Sequence, residues 1–99
     1  MVLEVAILNV VPGREAEFES AMREACPLIE ATPGFISLHL RRCVETPTRY
    51  LLQVAWRALD DHTVGFRESD RYPQWHALLH HFYDPFPAVE HYGETLSLG

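Results

Sequence analysis

Val2–Val11 is a run of aliphatic and β-branched residues broken only by Glu4 and Asn9, and it reads as a β-strand. Leu3, Val5, Ile7, Asn9 and Val11 fall on one face, and Val2, Glu4, Ala6, Leu8 and Val10 on the other. Both faces are largely apolar, as in a strand covered on both sides. Pro12-Gly13 ends the run, and from Arg14 the period becomes helical. Phe18, Met22, Ala25 and Ile29 recur at i, i+4, i+7 and i+11, with Ala21 and Leu28 beside them. Glu15, Glu17 and Glu19 lie in the early turns, where the helix dipole favours negative charge. Pro27 predicts a kinked or displaced last turn, and Thr32-Pro33-Gly34 stops the helix.

Phe35–Val44 sets Ile36, Leu38 and Leu40 against Ser37, His39 and Arg41. Arg49–Arg57 sets Tyr50, Leu52, Val54 and Trp56 against Leu51, Gln53 and Ala55. The turn Glu45-Thr46-Pro47-Thr48 between them predicts an antiparallel hairpin. Asp60 or Asp61 is placed to cap a short helix reaching about Glu68, and a further helix is expected over 72–82 with Pro73 in its first turn. Asp84-Pro85-Phe86-Pro87 breaks that helix, and Ala88–Leu98 reads as a last strand. The order is β-α-β-β-α-(α)-β, a ferredoxin-like α+β plan with an antiparallel sheet, expected as one domain over 1–99. Helices on one face leave the other uncovered, with residues such as Val5, Ile7, Leu38 or Val54 on it. That is too much apolar area to leave wet, so a homodimer paired through the sheets, a dimeric α/β barrel, is expected.

The composition narrows the partners. The chain has 99 residues, 47% hydrophobic and 22% charged, with eight Lys and Arg against 14 Asp and Glu, a net charge of −6. It has no basic patch, so a nucleic-acid partner is not expected. No stretch approaches the length of a membrane helix, and Met1–Val11 lacks the features of a signal peptide. Cys26 and Cys43 form no framework of disulfides and no CxxC motif, which predicts free thiols in a cytoplasmic protein.

The chain resembles the antibiotic biosynthesis monooxygenase (ABM) family of dimeric α+β barrels over essentially its whole length. The resemblance is carried by the strand ending in Pro12-Gly13, the helix closed by Thr32-Pro33-Gly34-Phe35, the strand Gln53-Val54-Ala55-Trp56, the acidic pair Asp60-Asp61 and the segment Phe66-Arg67-Glu68-Ser69-Asp70. It implies a ligand pocket between a protomer's sheet and its helices, and it covers several activities. Among them are cofactor-free oxygenation of polyketide aromatic rings, quinol oxygenation and heme degradation. Many members have His three residues before the Ser matched by Ser69, and heme-degrading members have Trp there; this chain has Phe66. The iron-ligating histidine of the heme-degrading members falls seven residues after that Ser, at His76. Their first-strand asparagine falls at Ala6, while Asn9 is an odd step away, on the opposite face.

Chemistry concentrates in Trp75-His76-Ala77-Leu78-Leu79-His80-His81. His76, His80 and Asp84 share a helical face, a spacing open to a metal. Ala77, however, stands where an HExxH motif has Glu, and Asp84 precedes Pro85, so no metal is expected. His76 is the candidate general base, because an imidazole titrates near neutrality and a cofactor-free oxygenase must deprotonate its substrate. Asn9, His39, Gln53, Phe66, Tyr72 and Trp75 are the candidate pocket residues, supplying hydrogen-bond donors or aromatic walls. His91-Tyr92 and Glu90 are expected as polar interface groups. The leading expectation is a small dimeric monooxygenase that uses dioxygen on an electron-rich aromatic or quinol, without metal, flavin or other cofactor. The alternatives are a heme protein ligated by His76 and a noncatalytic binding barrel. A pocket filled by side chains would favour the last; an open cavity with a polar cluster would count against it.

Overall fold

The computed structural model describes all 99 residues, Met1–Gly99. In chain order they form β1 (Val2–Asn9), α1 (Glu15–Glu30), β2 (Phe35–Arg42), β3 (Arg49–Trp56), a π-helical turn (Asp61–Phe66), α2 (Arg71–Leu79) running into a 3₁₀ turn (His80–Phe82), and β4 (Val89–Tyr92). The strands make one antiparallel sheet in the order β2-β3-β1-β4, the ferredoxin-like α+β arrangement.

The helical stripe read from the sequence is the buried one: Phe18, Met22, Ala25 and Ile29 face the sheet. They pack on Ala6 and Leu8 of β1, on Val10 just beyond it, and on Tyr50, Leu52, Val54 and Trp56 of β3. Each large side chain buried this way contributes roughly 1.5–3 kcal/mol. Register decides which strand residues join them. Glu4 pairs with Val54, and Val54 with Leu38, so all three lie on the helix side. The expectation that Leu38 and Val54 lie on the uncovered face is therefore corrected. That face instead carries Leu3, Val5 and Ile7 of β1 opposite Ala55, Gln53 and Leu51 of β3.

α1, as expected, reaches the Thr32-Pro33-Gly34 stop, running through Pro27 to Glu30 with Pro27 and Arg23 both exposed. Two other elements differ from expectation. The second helix changes to 3₁₀ geometry at His80. β4 stops at Tyr92: with Leu3 paired to Tyr92, the register reaches the start of β1, and beyond it Glu94 meets only the Met1 amino group rather than a strand.

Two contacts set the π-helical turn and α2 in place. Gly34 has φ +93°, and a Cβ there would overlap the Asp61 side chain that opens the turn. Asp61 Oδ2 accepts the Ala58 N–H at 3.0 Å, pinning the approach to the turn rather than capping it. Arg71, at the start of α2, donates to the Leu28 carbonyl and to Thr32 Oγ1, each at 3.1 Å. That satisfies a carbonyl of the last turn of α1 and ties the two helices together. No helix is long and apolar enough to cross a membrane.

Candidate active site

A cavity of about 360 Å³ lies between the helix side of the sheet and α2. Its floor is apolar: Ala6 and Leu8 of β1, Leu52 of β3 and Val89 of β4. Phe66, Tyr72 and Trp75 make an aromatic wall, with Phe66 edge-on to both Tyr72 (5.5 Å) and Trp75 (5.6 Å). Such a floor and wall suit a flat apolar ligand.

One end of the cavity is polar and tightly bonded. Glu4 is 5% exposed and His62 is 3% exposed. Glu4 Oε1 accepts the Trp56 indole N–H at 2.9 Å and lies 3.3 Å from His62 Nε2. The other ring nitrogen, His62 Nδ1, is 2.7 Å from His91 Nε2. The β1–β4 register puts His91 directly opposite Glu4, and Trp56 also stacks on His62 with ring centroids 5.4 Å apart. Burial pushes the Glu4 carboxyl above its usual range, against the pull of the Trp56 N–H and the Arg67 charge. Burial, then the charges of Arg67 and His91, hold His62 down to about 3, so it is a neutral imidazole at pH 7. Arg67 also lines this end.

The opposite end holds His80, Tyr83 and Phe86. Tyr83 is bridged to Val10, at the far end of the β1 side of the cavity from Glu4. His80 lies 4.8 Å from the Phe86 ring and 3.7 Å from His76, centroid to centroid. Its Nδ1 is buried without a hydrogen-bond partner. Burial and then the neighbouring His76 hold His80 down to about 4.

Phe66, Tyr72 and Trp75 thus line the cavity as the sequence suggested. His76 does not; it is exposed on α2 and reaches the site only through the rings of Tyr72 and His80. Asn9, His39 and Gln53 lie on the other face of the sheet. There Asn9 Oδ1 accepts from Arg49 Nε at 3.2 Å and Gln53 Oε1 lies 3.4 Å from Arg41 Nε. The cavity sits on the even-numbered face of β1 because α1 buries against Ala6, Leu8 and Val10. Sequence reasoning missed Glu4, His62 and Arg67 as residues of this cavity, and weighed His80 only on the helical face it shares with His76 and Asp84. Only Glu4 carried a local signal, a lone carboxylate inside an apolar strand. His91, expected from the sequence only as a polar interface group, faces His62.

A ferredoxin-like sheet with its cavity roofed by the second helix defines the structural class. The antibiotic biosynthesis monooxygenase family matches residues 1–78, and the chain belongs to that family. It is 51% identical to the uncharacterized protein YczJ of Bacillus subtilis (strain 168) over 95 residues, 96% of this chain and 100% of YczJ. A crystal structure from Bordetella bronchiseptica, described as an antibiotic biosynthesis monooxygenase, superposes with a TM-score of 0.91 at 37% identity, covering 96% of this chain and 97% of that one. SnoaB of Streptomyces nogalater, described as a cofactor-independent oxygenase, shares the fold: TM-score 0.80, 21% identity, coverage of 98% and 95%.

Proposed function

We propose that the protein is a small oxygenase that binds an electron-rich aromatic or quinol-type molecule in this cavity and oxidises it with dioxygen, without metal or flavin. Family membership supports a monooxygenase-type role. The observation that carries the reading is the cavity itself, which is open, aromatic-walled and supplied with buried titratable groups rather than plugged by side chains. Loss of a proton from a phenol or an adjacent ring methylene leaves an anion rich enough to pass an electron to dioxygen. When one oxygen atom becomes a carbonyl at that methylene, the other leaves as water with the two displaced hydrogens, so no external reductant is required. The apolar floor excludes competing water, and His80, whose Nδ1 has no partner, is free to hydrogen-bond the anion.

Oxygen-electrode assays with a hydroxylated anthrone and a naphthohydroquinone test this. Uptake above autoxidation, unchanged by EDTA and lost when Val89→Trp fills the floor, is expected. Uptake that needs metal, or that ignores Val89→Trp, overturns the cofactor-free reading. An iron bound in the cavity would take its histidine from His80, since His76 does not line it. A saturable Soret shift with hemin, lost in His80→Ala, would replace the oxygenase reading by a heme protein. The proposal includes a homodimer, supported by Leu3, Val5, Ile7 and Leu51 on the face no helix covers. Sedimentation velocity checks it: a dimer is expected, converted to monomer by Ile7→Asp.

A further inference from the structure

We propose that Glu4, His62 and His91 form a proton relay that takes the proton released by the substrate and delivers it to solvent at the β4 edge of the sheet. The proposal rests on the oxygenase reading. The three side chains form a line, carboxyl to imidazole to imidazole, with separations of 3.3 and 2.7 Å. They come from β1, the π-helical turn and β4, and no set of three ligating groups converges on a point that would suit a metal. The inner end is in the cavity, where Glu4 and His62 both line the wall. The outer end is His91, half-buried on the edge strand.

Each link has the chemistry a relay needs. Glu4 Oε1 already receives the Trp56 N–H, which holds the carboxyl in one orientation. With Glu4 ionised the chain points inward: His91 Nε2–H donates to His62 Nδ1, and His62 Nε2–H donates to Glu4 Oε1. With Glu4 protonated it points outward, from Glu4 to His62 Nε2 and from His62 Nδ1–H to His91 Nε2. Neither orientation leaves a hydrogen bond unmade. In turnover the substrate O–H bond breaks and its proton goes to Glu4. Glu4 passes a proton to His62 Nε2, His62 passes its Nδ1 proton to His91 Nε2, and His91 passes its Nδ1 proton to water. Each hop breaks one N–H or O–H bond and forms another, and one proton leaves for each one taken up. After product leaves, the rings reset: His62 gives its Nε2 proton to water entering the cavity and takes the His91 Nε2 proton at Nδ1. His91 takes a proton at Nδ1 from water at the sheet edge, and the chain points outward again once Glu4 receives the next proton. Burial keeps both rings neutral carriers, and Arg67, the charged group facing this assembly, adds to it by disfavouring imidazolium while favouring the carboxylate.

The test begins without substrate. NMR of the full chain, carbon-labelled at the Glu4 carboxyl and nitrogen-labelled in the histidines, is followed across pH. The Glu4 carboxyl and the tautomers of His62 and His91 are expected to change together, and His91→Phe or His91→Gln to release the His62 tautomer from the Glu4 titration. A His62 tautomer that stays fixed while Glu4 titrates, or ignores both His91 variants, overturns the relay. The second arm uses oxygen uptake with the hydroxylated anthrone. Glu4→Gln is expected to lower kcat by about 10²–10⁴-fold, the range of a lost general base. His91→Ala is expected to lower kcat with KM unchanged, to shift its pH profile, and to be rescued by free imidazole. Coupled titration without oxygen uptake sinks the oxygenase reading, and oxygen uptake without coupled titration sinks the relay.

Discussion

His62 and His91 are 29 residues apart in the chain and meet at 2.7 Å, part of a bonded line that ends on a buried carboxylate. His76 and His80 are one helical turn apart, with rings 3.7 Å from each other, yet the buried Nδ1 of His80 has no partner. The first pair is held by hydrogen bonds and by the stack on Trp56. The second is placed by its helix and by the rings of Tyr72, Tyr83 and Phe86, with no hydrogen bond to fix it. A bonded, buried group is pre-organised and costly to disturb, whereas an unpartnered one adapts to what enters beside it. Proximity in sequence therefore brought rings together at one end of the cavity without bonding them, and long-range packing built the other end.

The sharpest way to break this contrast is truncation. His62→Ala removes a buried ring and strips a neighbour from Glu4, and urea unfolding is expected to show a loss of about 3 kcal/mol. His76→Ala, on the exposed face of α2, is expected to stay within about 0.5 kcal/mol of the parent. Equal losses would mean that the bonded line contributes nothing special. Next in size is Gly34→Ala, which meets both a positive φ and the Asp61 side chain. About 2 kcal/mol of destabilisation is expected, together with altered near-ultraviolet circular dichroism from displacement of the turn that holds His62.

Acidification separates the histidines by the depth of their burial. His62 and His80 have folded pKa values held to about 3 and about 4, below the ordinary 6.5. The unfolded chain therefore binds protons that the folded chain refuses, and stability falls as pH drops from about 6.5 toward those values. Each ring adds a slope of at most about 1.4 kcal/mol per pH unit. Glu4 acts with the opposite sign: its raised folded pKa makes stability fall as pH rises above the unfolded carboxylate value. Urea midpoints between pH 4 and 7 are expected to fall on acidification, and His62→Gln to flatten the slope more than His80→Gln. The smallest effect is expected of His80→Phe. Replacing a ring with an unpartnered nitrogen by an apolar ring of similar shape should leave stability unchanged or slightly raised. A clear loss in urea unfolding would show that His80 has a partner after all.

Much of the scaffold was legible in the residues. The stripe Phe18, Met22, Ala25 and Ile29 became the buried face of α1, and the hairpin paired around its proline turn, because period and turn chemistry are local. Phe66, Tyr72 and Trp75 were found because aromatic density marks either a core or a pocket, and here it marks both. Asn9, His39 and Gln53 were assigned to the pocket through a choice of strand face, and alternation cannot say which face a helix will cover when both are apolar.

The sequence by itself determined the order of elements, the inner face of the first helix and the ABM family to which the chain belongs, since these depend on residues near one another or on a whole-chain pattern. Only the tertiary structure decided that Glu4 would meet His62 and His91, that His80 rather than His76 would line the cavity, and that Val54 would face the helices. Those facts depend on strand register and on where the turn after β3 lands, which are settled by packing between segments distant in the chain.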